Sequence, residues 1–466
     1  MKKEKKGILS VRIELPYPMA AKELADAVGA PCPIDEGTVI SAITTDSRLT
    51  KPGDLFVAIC GKMHDGHLFL GDAKRRGASL LLATRSGEDM LSVENTKKAL
   101  GTIAAYSLRK NRIPVVAITG SVGKTGAKDA IAATLAARLR VHKTQENQNN
   151  ELGVPYTILS RKRDDEVMVL EFGTNSTGEI SALADIATPD VAVITAIGSA
   201  HIGAFGSREA ILAEKAGIYK GMTDGLLILN GDDAYLKTLS PQIPVCYVGK
   251  DENCDLCACK VFFSRYGISY TLLEKSGERR IFLRGVGTPR IYASLFALAT
   301  ATHFGIRQDL AADALFRMPQ PKGRQSILNI GGILLIDDAY NASPESMEEA
   351  LRLLATLPTA RRRYAVLGDM LELGSMSEVL HRKIGMQAAK NADLLYSFGH
   401  YAQAIADGAG EGGMHPDCIH IYGDAEACLA ALRPELSDGD TVLVKASHAL
   451  GGARIVNGIC SLTVRA

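Results

Sequence analysis

The residues richest in chemistry are Gly120-Ser-Val-Gly123-Lys124-Thr125. Glycines in such a loop let backbone N–H groups converge on a polyphosphate. The lysine adds a point charge for the outer phosphates, and the threonine hydroxyl is an oxygen donor for Mg2+. The chemistry requires a strand before the loop and a helix after it. Both are expected here: Val115 to Ile118 is a short apolar run, and an alanine-rich helical pattern extends from Ala127 to about Leu139. The helix N-terminus adds partial positive charge where the phosphates would lie. The strict pattern asks for glycine at position 118, where Ile118 stands, so this is the shorter form T-G-S-x-G-K-T. A chance glycine turn before a helix is the competing reading. Strand, helix, lysine and threonine together outweigh it, and a nucleotide-driven reaction is the working reading.

Two expected strand ends downstream carry further candidates. Val167-Met-Val-Leu170 runs into Glu171, with Asn175 shortly after. A group at the carboxyl end of a parallel strand faces the ligand crevice of an open α/β sheet, and a hard carboxylate there suits Mg2+. Val191 to Ile197 is followed by Gly198-Ser-Ala-His201. A lone histidine is more often structural, but a position just past a strand end makes His201 a site candidate. The run Thr144 to Pro155 contains Asn147, Asn149 and Asn150. These amides either orient phosphate or carbonyl oxygens or belong to a solvated loop. Lys215, on a helix starting near Ser207, reads by itself as a solvated helix lysine. Thr45, Ser47, Arg48, Asp65 and His67 are binding groups or turn formers, and the residues alone favour turns.

The elements that must position these groups span a long chain. At 466 residues it calls for two to four domains. Residues 1–110 read as a small α/β module, with a helix from Pro18 to Val28, strands through Val39 to Arg48, Asp54 to Gly61 and Ser79 to Ala83, and a helix from Phe69 to Gly77. Residues 111–321 alternate strands and helices, extend into a strand meander over 243–284, and add a helix from Ile291 to Phe304. Residues 322–466 alternate again and fit a separate doubly wound domain. A net charge of +1 gives no field that favours nucleic acid or an anionic membrane. No apolar run reaches the length of a membrane span. The start MKKEKKGILS is basic but too poor in apolar residues for a signal peptide. A cytoplasmic protein is expected. Nine scattered cysteines suggest reduced thiols. The one cluster, Cys254-x-x-Cys257-x-Cys259, offers three thiolates for zinc but no nearby fourth ligand, so reduced thiols are the favoured reading there too.

Taken in order, the motifs form a known set. The stretches T-D-S-R (Thr45 to Arg48), K-P-G-D-L-F-V-A, D-G-H (Asp65 to His67), T-G-S-V-G-K-T, T-Q-E-N-Q-N-N-E-L-G-V-P, E-F-G-T-N-S-T-G-E-I, A-H-I-G-A-F-G-S-R-E, I-D-D-A-Y-N-A-S-P-E-S-M and L-G-D-M-L-E-L-G resemble those of the Mur ligases over nearly the whole chain. The resemblance implies an α/β fold of three domains. They would be a UDP-sugar-binding domain (1–110), a P-loop ATP-binding domain with a parallel sheet (111–321) and a Rossmann-like amino-substrate domain (322–466). It implies cytoplasmic peptidoglycan precursor synthesis. ATP would phosphorylate the terminal carboxylate of UDP-N-acetylmuramoyl-tripeptide, and the amine of D-alanyl-D-alanine would attack the acyl phosphate. A monomer working on small molecules is expected, with no nucleic acid and no stable membrane insertion.

The resemblance also assigns roles. Gly120, Ser121, Val122, Gly123, Lys124 and Thr125 would hold the ATP phosphates, with Arg324, Asp338 and Asn341 reaching the nucleotide from the C-terminal segment. Thr125, Glu171 and His201 would bind two Mg2+ ions. Lys215 matches a lysine that the family carbamylates, which turns it from a cation into a metal ligand. Lys124, Glu171, His201 and Lys215 would be catalytic. Ser47, Arg48, Asp65, His67, Asn147, Asn150 and Asn175 would lie at substrate.

Some positions depart from the family pattern. Ser176 stands where histidine usually follows asparagine. The adenine-contacting G-x-H-N-x-x-N-A is Gly287-Thr-Pro289-Arg290-Ile-Tyr-Ala293-Ser here. K-G-S-R is Lys445-Ala-Ser-His448, and Gly217 and Gly126 replace an acidic residue and a hydroxyl residue. The polyphosphate end is kept and the adenine end is altered, so adenine is expected to be held differently. Two alternatives stay open: a divergent paralogue joining another amine to another carboxylate, and a catalytically weak regulator of wall synthesis.

Overall fold

The structure, a computed structural model, describes residues 11–61, 64–264, 267–275, 277–319 and 322–462. The basic first ten residues, Arg265 and Tyr266 of the expected meander, and Pro321 next to the expected third segment lie outside them. The described residues form three β-sheets, of five, nine and six strands. The contacts divide the chain into two compact units: residues 1–119, 138–192 and 216–225, and residues 120–137, 193–215 and 226–466.

In the first unit, strands Arg12–Ala20, Val39–Thr44, Asp54–Val57, Leu80–Ala83 and Met90–Ser92 form a sheet in sequence order. The first pair is antiparallel and the rest parallel. The helix expected from Pro18 begins only at Ala21. Met19 and Ala20 instead pair with Ile40 and Val39, and Glu23 accepts from the Ala20 N–H at 3.0 Å. That acceptor three residues into the helix fixes its start, and Gly29 ends it at φ +67°. The expected strand from Asp54 stops at Val57. The same unit holds the parallel strands Val115–Thr119, Val167–Glu171 and Val141–Lys143, with Val167–Glu171 in the middle. Val115–Thr119 and Val167–Glu171 are buried throughout, the pattern of parallel strands covered on both faces.

In the second unit, Leu226–Asn230, Val245–Gly249 and Leu256–Ser264 pair in parallel. Leu256–Ser264, Gly267–Glu274 and Gly277–Leu283 then form an antiparallel meander. The helix Lys124–Leu135 starts three residues before the expected Ala127 and ends four before Leu139. Gly123, at φ +85°, is its N-cap. The six-stranded sheet has the order Ser326–Ile330, Ile333–Asp338, Thr441–Lys445, Arg363–Gly368, Leu394–Phe398, Ile419–Tyr422. Only its first pair is antiparallel. Alternate residues of these strands enter two separate cores. Ile336, Ala365, Leu367, Leu395 and Leu443 pack with helices Pro344–Thr356, Ser377–Asn391 and Ala402–Glu411. Leu335, Tyr364, Val366, Tyr396 and Val442 pack with Ala425–Leu432 and Gly452–Cys460. Period-two alternation with helices on both faces is the expected doubly wound arrangement.

Helices Ser377–Asn391 and Ala402–Glu411 meet through glycines. A Cβ on Gly385 would stand 1.9 Å from Ile405 O, and one on Gly408 1.9 Å from Arg382 O. All nine cysteines are free thiols. Among the described residues no three His, Cys, Asp or Glu side chains converge on a metal position, the Cys254–Cys259 stretch included. No helix among them is long and apolar enough to cross a membrane.

Candidate active site

The candidate phosphate loop is built on glycine backbone in the left-handed half of conformational space. Gly120 sits at φ +141° and Gly123 at φ +85°. A Cβ on Gly120 would lie 2.1 Å from Thr195 Oγ1. Thr195 is held there because its hydroxyl donates to Val122 O at 2.5 Å and its carbonyl accepts from Asn230 Nδ2 at 3.1 Å. The Ser121 N–H donates to Ala196 O at 2.8 Å, and the Ile197 N–H to Asp233 Oδ2 at 2.7 Å. These bonds explain why the strand expected to reach Ile197 ends at Ile194: Thr195 and Ala196 bond the loop, and Ile197 bonds Asp233. Lys124 and Thr125 begin the helix. Lys124 Nζ donates to Gly120 O at 2.6 Å and Ser121 O at 3.3 Å. Arg324 Nη2 donates to Thr125 Oγ1 at 3.1 Å, so two residues that are 199 apart in sequence meet at the expected phosphate position.

Arg324 lies over the Tyr340 ring at 4.0 Å, and Tyr340 packs against His448 with ring centroids 5.9 Å apart. The guanidinium is thus held from below by an aromatic face. Tyr340 was no candidate from sequence, although it lies between Asp338 and Asn341. Asp338 is buried, and Lys445 Nζ reaches its Oδ2 at 2.7 Å and Asn341 O at 3.0 Å. Burial pushes the Asp338 carboxyl upward, while Lys445 opposes the shift. The Lys445 position of the altered K-A-S-H stretch therefore secures the Asp338–Asn341 turn.

His201 follows at φ +63°, and its Nδ1 lies 2.7 Å from Glu372 Oε2. Lys215, which reads from sequence as a solvated lysine, is buried at 2% exposure beside buried Glu214. An amine removed from water needs a compensating chemical environment, which fits a site role better than a surface one.

In the first unit, Glu171 ends its strand in register with Ile118. It is 3% exposed, and its N–H donates to Thr144 Oγ1 at 3.0 Å. Asn149 Nδ2 donates to Glu171 Oε1 at 2.9 Å. The amide that reaches the carboxylate is therefore Asn149, rather than the candidates Asn147 and Asn150. Asn150 Oδ1 accepts from the N–H groups of Leu152 and Gly153 at 3.1 and 2.9 Å and so shapes the start of helix Gly153–Leu159. Asn147 is exposed. Asn175 is exposed too, and its N–H donates to Glu179 Oε2 at 2.7 Å.

The N-terminal candidates are largely engaged in turns. Asp65 Oδ1 accepts from the His67 N–H at 2.9 Å and faces His67 Nδ1 at 2.6 Å. Both contacts hold the Asp65 carboxyl below its usual range. His67 Nε2 accepts from the Thr84 N–H at 3.0 Å. Ser47 donates to Asp72, the leading cause of that carboxyl's lowered value. Arg48 is paired with Asp46 at 2.6 Å. The Thr45 hydroxyl accepts from Tyr156 at 3.3 Å.

At the altered adenine motif, helix Thr288–His303 begins after Gly287 at φ +95° with a proline in its first turn. Arg290 Nε donates to Val286 O at 3.2 Å, and its buried Nη2 has no hydrogen-bond partner. Burial lowers the guanidinium's proton affinity. Gly126 leaves room beside Ala293, whose Cβ would be 3.9 Å from an added Cβ.

Three family models match the sequence. They are the Mur ligase family catalytic domain over residues 39–146, the Mur ligase middle domain over 118–301, and the Mur ligase glutamate ligase domain over 323–448. The chain is 34% identical over 433 residues to the UDP-N-acetylmuramoyl-tripeptide–D-alanyl-D-alanine ligase of Bacillus subtilis, covering 91% of this chain and 94% of that one. It is 31% identical to the enzyme of the same name from Escherichia coli, covering 90% and 95%. Among solved structures it is similar to MurF from Acinetobacter baumannii, with a TM-score of 0.88, 27% identity, and coverage of 96% and 100%. It is also similar to the MurF ligase from Thermotoga maritima in complex with ADP, with a TM-score of 0.83, 28% identity, and coverage of 91% and 98%.

Proposed function

The chain belongs to the Mur ligase family, and we propose that it is the ATP-dependent ligase that adds D-alanyl-D-alanine to UDP-N-acetylmuramoyl-tripeptide. The carrying observation is the pairing of near-full-length similarity to ligases of that name with a glycine loop on which Lys124 and Arg324 converge. The segments 1–110, 111–321 and 322–466 serve in this reading as the UDP-sugar, ATP and amino-substrate regions.

The tripeptide's terminal carboxylate takes the γ-phosphoryl group of ATP, and ADP leaves. The dipeptide amine then attacks the acyl phosphate carbon, and phosphate leaves with the new amide formed. Positioning and charge neutralisation supply the catalysis. The loop N–H groups hold the phosphates, Lys124 and Arg324 offset their charge, and the Tyr340 face keeps Arg324 aimed. Asp338 and Asn341 hold the ribose end, their turn braced by Lys445.

The oxygen donors suit Mg2+: a hydroxyl at Thr125, a carboxylate at Glu171, and a carboxylate-like group at Lys215 once it is carbamylated; the His201 imidazole joins them in this reading by its match to the family's metal histidine. Mg2+ is ordinarily held by few protein ligands, with substrate phosphates and water completing the shell. When bound it neutralises developing phosphate charge. Ser47, Arg48, Asp65, His67, Asn147, Asn150 and Asn175 act in this reading mainly by shaping the loops that face substrate. The adenine end, altered at Pro289, Arg290 and Ala293, holds the base differently in this reading. The protein works as a cytoplasmic monomer.

The test is phosphate release from ATP with Mg2+, UDP-N-acetylmuramoyl-tripeptide and D-alanyl-D-alanine, omitting each in turn. Release that needs all components is expected. No release from the complete mixture would refute the reading, and release with a different amine would identify a divergent paralogue.

A further inference from the structure

Two loops of the second unit meet through matched pairs. One is the loop after strand Val191–Ile194, which ends at His201. The other follows strand Arg363–Gly368 and carries Glu372. His201 Nδ1 lies 2.7 Å from Glu372 Oε2. Two residues beyond each of these side chains, Gly203 and Gly374 bring their backbones together: a Cβ on Gly203 would stand 2.7 Å from Gly374 N, and one on Gly374 2.9 Å from Gly203 Cα. His201 and Glu372 both sit in the left-handed region, at φ +63° and +67°. That conformation is unfavourable for residues with a Cβ, and such strain collects where a side chain must be aimed. A third contact fixes the first loop. Glu345 Oε1 accepts from the Ser199 N–H at 2.7 Å and from Arg208 Nη2 at 3.1 Å. Glu345 thus anchors the loop's backbone while Glu372 addresses its imidazole.

Stability does not account for the pair. The Glu372 side chain is 62% exposed and that of His201 26%, and ion pairs this open contribute little. Orientation does account for it. A carboxylate only accepts, so the ring nitrogen facing it carries the proton, and Nε2 becomes the acceptor nitrogen. Fixing one ring nitrogen by a carboxylate is how an imidazole is prepared to ligate a cation through the other.

We propose that Glu372 is a positioning residue of the ligation: it holds His201 in the Nδ1–H tautomer and presents Nε2 toward the Mg2+ that accompanies ATP. This rests on the ligase reading, which makes His201 a metal ligand. The residue stands in the Gly368-Asp-Met-Leu-Glu-Leu-Gly374 stretch, whose motif was legible from sequence but whose partner was not.

The test uses the full chain labelled with 15N-histidine, with no nucleotide or metal added, the His201 signals being identified by their loss in His201→Gln. The wild type should show a single Nδ1–H tautomer. Glu372→Ala should show a tautomer mixture, and Glu372→Gln, whose carbonyl still accepts, should keep the wild-type signal. In the phosphate-release assay, Glu372→Ala should raise the half-saturating Mg2+ concentration about 10- to 100-fold, while Glu372→Gln stays near wild type. An unchanged His201 tautomer in Glu372→Ala, or an unchanged Mg2+ requirement, overturns the proposal. If the wild type itself releases no phosphate, the ligase reading fails, and the tautomer measurement still decides whether Glu372 orients His201.

Discussion

Replacing Gly120 by alanine should disable nucleotide binding while leaving most of the molecule intact. The new Cβ would lie 2.1 Å from Thr195 Oγ1 and about 3 Å from the backbone nitrogens of Thr195 and Ala196. Thr195 cannot swing away without losing its bond to Val122 O, and its backbone is held by Asn230. A forced insertion into a packed region costs roughly 1–3 kcal/mol. A φ of +141° on a residue with a Cβ adds about 1–3 kcal/mol. The sum is about 2–6 kcal/mol, borne by a loop that can relieve it only by opening. Even the lower bound weakens ATP about 30-fold, since each 1.4 kcal/mol is tenfold. Equilibrium titration with a fluorescent ATP analogue measures the loss, and circular dichroism melting checks that the fold persists. Gly120→Ala combined with Thr195→Ala removes the closest clash but keeps the φ penalty, so it should recover only part of the affinity. Wild-type affinity in Gly120→Ala would show that the loop is not the phosphate site or that Thr195 does not close it.

Arg324→Ala loses both the Thr125 bond and the stacking on Tyr340, so its KM for ATP should rise about 5- to 30-fold, from roughly 1–2 kcal/mol of charged hydrogen bond and cation–π energy. Tyr340→Leu should show a smaller rise in the same steady-state assay. Lys445→Met strands a buried carboxylate at Asp338 and should destabilise the chain by about 3–5 kcal/mol in urea unfolding. Pairing it with Asp338→Leu should restore most of that. His381 is buried, its Nε2 accepts from the Met370 N–H, and its Nδ1 faces Ser377 O. Burial lowers its folded pKa, so the unfolded chain binds the proton more readily. Stability from this group is present above the unfolded value of about 6.5 and is lost as pH falls toward the folded value. The melting temperature should therefore drop between pH 7 and 5, and His381→Gln should flatten that dependence.

Much of the candidate site is legible because its signals are local. Val115–Thr119, the glycines and Lys124–Thr125 announce a strand, a loop and a helix within a dozen or so residues. Glu171 and His201 stand out as polar groups at the ends of apolar runs. Other features depend on pairing across the chain, which local pattern does not contain. Asn147, Asn149 and Asn150 are indistinguishable by composition, and only the turn geometry decides that Asn149 meets Glu171. Lys215 has the helix position of a surface lysine, and its burial comes from packing. The composition of Pro18 to Ala20 allows a helix, whereas pairing of Met19 and Ala20 with Ile40 and Val39 holds the end of this stretch in a strand. Tyr340 and Glu372 act through Arg324 and His201, so they cannot be singled out before those partners are placed.

The glycine crossing of Ser377–Asn391 and Ala402–Glu411 bears on how this region is assembled. Each interior glycine lowers helix formation by about 1 kcal/mol relative to alanine. Ala402–Glu411 carries two of them, Gly408 and Gly410, within ten residues. A helix that short and glycine-rich does not persist alone in water. What it gains on docking is backbone contact at Gly385 and Gly408 and the stacking of His381 on Tyr401 at 4.5 Å. The shorter helix therefore depends on the longer one for its order, and the two are expected to open together as one foldon. Their amide protons should exchange with a common opening free energy rather than helix by helix.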